Sequence, residues 1–126
     1  MRYAMPKHPC DFEIPDAWIA EAGMDRFTPT ASAYRSNAEA VLVRLVEIEP
    51  PHRVPECIKD ARGFDHARLV SVLRGIALGE QIEAVPLCAL PDNFPPAPYR
   101  YRVRDGFHRF YASIAAGFEY LPGKIV

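Results

Sequence analysis

Cysteine is scarce in this chain. Cys10, Cys57 and Cys88 are its three, odd in number, far apart and never in a CxxC pair. That spacing excludes a disulfide framework or a paired-cysteine zinc site, and it reads as reduced thiols of a cytoplasmic protein. Long apolar runs are missing too: no stretch reaches the roughly 18 apolar residues that a membrane helix needs. Asp11, Glu13 and Asp16 occupy the region where a secretory leader would carry its apolar segment. Excess charge of one sign is also absent. The formal net charge is −1 and no lysine-rich block occurs, so the broad basic surface of a general DNA binder is not expected, and any anion site must be local. His8, His52 and His66 lack metal-ligand spacing with one another or with the cysteines.

What is present is an ordinary folded-protein composition, 49% hydrophobic and 25% charged, in 126 residues. This is enough for one domain with a real core. Thirteen prolines add extended loops. Residues 1–40 read as an elaboration packed on the main domain, because they are too few for a core of their own. Within them Ile14-Pro15-Asp16 suits a short helix with Asp16 as N-cap, Trp18, Ile19 and Ala22 on one side and Gly23 as its stop.

Residues 41–126 carry the clearer periodicities. Val41–Ile48 is β-branched and apolar on both faces, which predicts one buried strand. Pro50, Pro51 and Pro55 then enforce a loop. Asp65 is a good N-cap, and Leu69, Val72, Leu73 and Ile76 recur at helical spacing up to Gly79, which predicts a helix over 65–78. Ile82–Leu90 returns to a strand pattern in which Pro86 points to an edge or a bulge. After the stiff connector 92–98, Tyr99, Tyr101 and Val103 alternate with Arg100, Arg102 and Arg104. A final helix over about 107–116 packs through Phe107, Phe110, Tyr111, Ile114 and Ala115, and a short extended piece follows from Tyr120. Two helices against a small mixed sheet make an α+β domain.

The chemistry gathers at the junction Arg104-Asp105-Gly106-Phe107-His108-Arg109. A strand that feeds a helix through one glycine leaves several backbone N–H groups unpaired and pointing one way, with the positive end of the helix dipole behind them. Gly106 is either the close-approach residue of an anion cradle or a plain tight turn. His108 and Arg109 stand in the first helical turn, where the dipole disfavours cations unless an anion offsets them. Asp105 either caps the helix or acts on a ribose hydroxyl, a magnesium ion or a proton. Arg100, Arg102 and Arg104 are either a rail leading to this point or a solvated strand face, with Arg104 nearest the turn. Glu47, Glu49 and Glu56 are the acidic groups upstream that the fold can bring towards it.

Asp105-Gly-Phe-His-Arg109, with Ala112, Ala116-Gly117 and Leu121-Pro122 behind it, resembles the phosphate-binding motif of the ParB/sulfiredoxin superfamily. The elements upstream agree in order over roughly residues 41–126, and residues 1–40 fall outside the likeness. The resemblance implies a small mixed sheet packed with helices. It implies nucleotide phosphates (ATP, ADP or CTP, with Mg2+) bound by Gly106, Phe107, His108, Arg109 and Arg104, with Asp105 in the chemistry. Three departures narrow it. Sulfiredoxins carry their catalytic cysteine where Phe107 stands, which removes sulfinic acid repair. ParB proteins have an acidic residue there and an arginine at the place of His108, and they continue into a helix-turn-helix domain that this sequence lacks, so DNA partition is not expected. The form Asp-Gly-x-His-Arg is closer to small ParB-like kinases that phosphorylate a free amino acid. The reading is therefore a nucleotide-binding domain with phosphotransferase or nucleotide-hydrolysing activity. The alternatives are a non-catalytic module that keeps the anion site and, behind it, a nuclease.

Overall fold

A computed structural model describes residues 1–5, 11–51, 64–91 and 99–126. The expectations placed on His8, Cys10, His52, Pro55, Glu56, Cys57 and the connector 92–98 lie outside the described residues. A two-stranded ribbon, β1 (Arg2–Tyr3) with β2 (Phe12–Glu13), precedes α1 (Asp16–Ala22). There follow β3 (Val41–Arg44), a 3-10 turn over Leu45–Glu47, β4 (Ile48–Glu49) and α2 (His66–Ala77). The chain closes with β5 (Val85–Ala89), β6 (Tyr101–Val103), α3 (Phe107–Ala115) and β7 (Tyr120–Ile125). The fold is α+β, with helices packed on a curled five-stranded mixed sheet of order β3-β7-β5-β6-β4.

The run from Val41 to Ile48 is not one strand. Its first half pairs antiparallel with β7 at one edge of the sheet, and its last residue, Ile48, pairs together with Glu49 parallel to β6 at the other edge. The Leu45 N–H donates to Glu119 O beside β7 at 2.9 Å, and Glu47 O accepts from Arg100 N–H beside β6 at 2.8 Å. Only two residue steps separate those anchors, a span of at most about 7 Å. The sheet must therefore bend until its two edges approach each other at this corner. Val41 and Leu42 are about half exposed at that edge, so the buried character expected of them is missing.

Pro86 also departs from expectation, because β5 is the central strand. The carbonyl of Pro86 accepts from Arg104 N–H at 2.9 Å, so its ring nitrogen faces the same side. The pair Pro86 and Arg104 is the last of the β5–β6 ladder beyond Leu87↔Val103, so the missing donor costs only the reciprocal bond to Arg104 O, where the chain leaves for the turn. Asp16 is the first residue of α1 instead of its cap. Pro15 holds the N-cap position, and Asp16 pairs with the Met1 amine at 2.6 Å.

Between the helices and the sheet lies one core. Phe64, Leu69, Leu73, Val85, Leu87, Phe110, Tyr111 and Leu121 fill it, and Phe12, Ile14, Ile19, Ala22, Met24 and Tyr34 from the first forty residues join the same cluster. Tyr34 hydroxyl donates to Glu83 O at 2.7 Å, and Ser36 hydroxyl to Ile82 O at 2.6 Å. The N-terminal elaboration is thus fastened to the approach to β5. Burial pushes the Tyr34 phenol far above its ordinary range.

Candidate functional site

The site begins where β6 runs out. Tyr101 and Val103 face the core while Arg102, Arg104 and Asp105 are exposed, as the alternation predicts. Gly106 then takes a φ of 124°, which L side chains rarely adopt, and α3 starts at the next residue. A Cβ built on Gly106 would meet Val85 Cγ1 at 2.9 Å and Arg109 Nη2 at 3.1 Å. Glycine is therefore dictated by the protein's own packing on β5. Gly106 is also the N-cap of α3, and among the described residues no side chain caps that end, Asp105 included. α2 behaves differently: Asp65 accepts from Arg68 N–H at 3.0 Å.

His108 joins the two helix starts. Its Nε2 accepts the Asp65 N–H at 3.1 Å, so that nitrogen carries no proton and the hydrogen of the neutral ring resides on Nδ1. Burial lowers the affinity of the imidazole for a proton, Asp65 opposes that shift and the Arg68 charge reinforces it. The ring lies against Phe107 and Phe64 at centroid distances of 5.0 and 6.2 Å. A neutral histidine relieves half of the conflict that two first-turn cations would create with the dipole.

Arg109 settles the other half. Its guanidinium donates to Glu83 O at 3.1 Å and Ala84 O at 3.0 Å, with Asp105 O at 3.5 Å. These carbonyls gather the strand into β5, the turn and α3 around one cation. Phe107 turns inward, packing at 5.7 Å from Phe64 and 5.0 Å from Tyr111. Tyr111 hydroxyl donates to Pro51 O at 2.6 Å, which ties the exit of β4 to α3.

The predicted cluster is therefore together, but its members do different jobs. Gly106, Phe107, His108 and Arg109 hold the turn in shape, while Arg104 and Asp105 face solvent. Among the described residues Arg104 makes no ion pair, whereas Arg102 meets Glu49 at 3.4 Å and Arg100 meets Glu47 at 4.0 Å. Those two upstream glutamates are thus engaged with Arg100, just before β6, and with Arg102 within it. Arg68 is exposed at the start of α2 and close enough for its charge to act on His108. A contact between residues 65 and 108 has no local sequence signature, so only the spacing of Asp65 as an N-cap hinted at that end of α2. A second unforeseen cluster latches α1 to α2: Trp18 stacks on His66 at 4.5 Å, and His66 Nε2 lies 2.9 Å from Glu21 Oε1.

Two helix N-termini thus converge, with Arg68 and Arg104 exposed beside them and an exposed acid, Asp105, at the turn. Such an arrangement can hold a compact anion through amide donors and flanking guanidinium groups. Among the described residues no group of three or more histidine, cysteine, aspartate or glutamate side chains is placed to hold a metal ion. No helix in the described residues is long and apolar enough to cross a membrane. Comparison with protein-family models, with curated proteins and with solved structures finds no match.

Proposed function

We propose that this chain is a nucleotide-binding domain of the ParB/sulfiredoxin type, holding phosphates at the start of α3. The observation that carries this reading is the uncapped N-terminus of α3. Among the described residues no side chain accepts from the first-turn amides, and Arg104 and Arg68 are exposed at the turn and at the start of α2. An anion would supply that acceptor and engage the guanidinium groups. In this reading Gly106 and the amides of Phe107, His108 and Arg109 contact the phosphates. Arg104 and Arg68 neutralise their charge, and the Arg109 side chain keeps the turn rigid.

For phosphotransfer or nucleotide hydrolysis, Asp105 is the acid at the turn. Magnesium commonly binds through one or two carboxylates together with substrate phosphates. A nucleotide's Mg2+ with Asp105 as a protein ligand suits this donor set. Asp105 then either holds the metal or accepts the proton of the attacking hydroxyl. The alternative, a binding module without chemistry, is favoured by one specific contact set: Glu47 and Glu49 are paired with Arg100 and Arg102.

The test is a thermal-shift series with pyrophosphate, ADP, ATP and CTP, with and without Mg2+, on the wild type and Arg104→Ala. Ligand at a hundred times its dissociation constant stabilises by about 2.7 kcal/mol, roughly 10 °C for a domain of this size. Arg104 is the right probe because its side chain is exposed, whereas removing Arg109 also unties the turn. A shift in the wild type that shrinks in Arg104→Ala supports the site. No shift with any of the four compounds sinks it. Magnesium-dependent turnover that survives Asp105→Ala would rule out the role given to that acid.

A further inference from the structure

His108 ties the start of α2 to the start of α3 through one hydrogen bond whose direction depends on a proton. Its Nε2 accepts the Asp65 N–H at 3.1 Å, which requires that nitrogen to be bare. The carboxylate of the same residue is engaged elsewhere, accepting from the Arg68 N–H at 3.0 Å as the cap of α2. Asp65 thus offers His108 two opposite partners. Its backbone donor suits the neutral ring, and its carboxylate suits the charged one. The neutral ring uses the donor and leaves the carboxylate to the helix.

A proton on Nε2 reverses that choice. The ring and the Asp65 amide would then point two hydrogens at each other in a half-buried site walled by Phe64 at 6.2 Å and Phe107 at 5.0 Å. From α2, the Asp65 charge favours the protonated ring and the Arg68 charge opposes it. His66 is occupied on the side of α1, by Trp18 at 4.5 Å and Glu21 at 2.9 Å. On the turn and α3, Arg104 and Asp105 are exposed, and the Arg109 guanidinium is turned to Glu83 O and Ala84 O. The Tyr111 hydroxyl donates to Pro51 O. Among these groups the Asp65 carboxylate is the acceptor that a charged His108 finds on the residue it already touches.

We propose that the α2–α3 junction is a proton-operated partner swap, in which protonated His108 exchanges the Asp65 amide for the Asp65 carboxylate and thereby uncaps α2. One proton enters from solvent at Nε2. The bond from Asp65 N–H to Nε2 gives way to one from Nε2–H to the carboxylate, and the Arg68 N–H is released to water. The two helix starts are locked together at neutral pH, and the first turn of α2 opens in mild acid. This device stands on the Asp65 and His108 contacts and is independent of the phosphates proposed above.

The experiment is an NMR titration from pH 8 to 5 that follows the His108 ring nitrogens and the Arg68 amide in wild type, Asp65→Asn and His108→Gln. At pH 8 the expected spectrum shows Nε2 bare and Nδ1 protonated. As the ring takes up its proton, the Arg68 amide proton moves upfield with the same midpoint, because it loses its carboxylate partner. Asp65→Asn keeps a capping oxygen but not its charge. There the His108 midpoint falls, and the Arg68 amide holds still through it. In His108→Gln the Arg68 amide stays flat over the whole range, which assigns the movement to the ring. A wild-type Arg68 amide that ignores the His108 titration overturns the swap, as does a protonated Nε2 at pH 8. Equal movement in Asp65→Asn overturns it too. The wild-type titration decides the matter even where a variant fails to fold.

Discussion

At Gly106 two separate constraints fall on one residue. The backbone angle of 124° excludes a side chain on conformational grounds, and the Val85 methyl group at 2.9 Å excludes it on steric grounds. Gly79 carries only the first constraint, with φ 70° and open space around its missing Cβ. Gly79→Ala is therefore expected to cost about 1 kcal/mol, the ordinary penalty of a left-handed alanine. Gly106→Ala adds overlap with a fully buried valine and should cost roughly 2–4 kcal/mol in urea unfolding. Equal losses at the two glycines would show that Val85 simply moves aside. The motif glycine thus reads first as a packing requirement, and its amide geometry is a consequence of that packing. The same holds one turn later. Arg109 and His108 stand where sequence reasoning expects ligand contacts, and their side chains instead bind Glu83 O, Ala84 O and the Asp65 N–H. These partners lie 26, 25 and 43 residues away in sequence, which is why no local pattern announces them.

Elements differ in how openly the sequence declares them. α2 and α3 are readable because apolar residues recur at helical spacing and a glycine trails each, and for α2 a capping aspartate agrees as well. β6 was readable because tyrosine and valine alternate with arginine without interruption. The Val41–Ile48 run was not, since Leu42 and Val46 are as apolar as the residues that are buried. Its buried positions are 43, 45 and 48, and the step of three is where the strand breaks into a 3-10 turn and changes edge. The junction of α2 with α3 rests on a histidine that must stay neutral to accept the Asp65 N–H. Its pKa is lowered from an ordinary 6.5 by burial, with Asp65 raising and Arg68 lowering it, so the unfolded chain takes up this proton first. The stability from this group is then complete above about pH 6.5 and is lost as pH falls through the lower folded value. Urea unfolding between pH 8 and 5 should show the wild type losing stability more steeply than His108→Gln below pH 6.5, because glutamine has no proton to gain. Parallel curves for the two proteins would remove His108 as the source.

The whole molecule is held by one core that ignores the sequence boundary at residue 40. Phe12 and Ile14 are 2% and 0% exposed, Ile19 and Ala22 are 5% and 2%, and all four sit in the cluster that contains Phe64, Phe110 and Tyr111. Phe12 meets Tyr111 edge-on at 5.0 Å and Phe64 at 6.1 Å, so it touches the aromatic base of the candidate site directly. Burying each large apolar side chain is worth about 1.5–3 kcal/mol. Phe12, Ile14 and Ile19 alone therefore approach the 5–15 kcal/mol by which a typical domain is stable. Removal of residues 1–40 also takes away the Tyr34 bond to Glu83 O, the carbonyl that Arg109 holds from the other side. A fragment spanning residues 41–126 covers the whole ParB-like resemblance, yet it should not fold cooperatively. The expected result is a broad thermal transition with lost near-ultraviolet dichroism, and no tyrosine environment like that of the full chain. Adding the 1–40 peptide in excess should restore part of the cooperative transition, since the missing surface is complementary and apolar. A sharp transition in the fragment alone, within a few degrees of the full chain, would show that the motif-bearing region is self-sufficient.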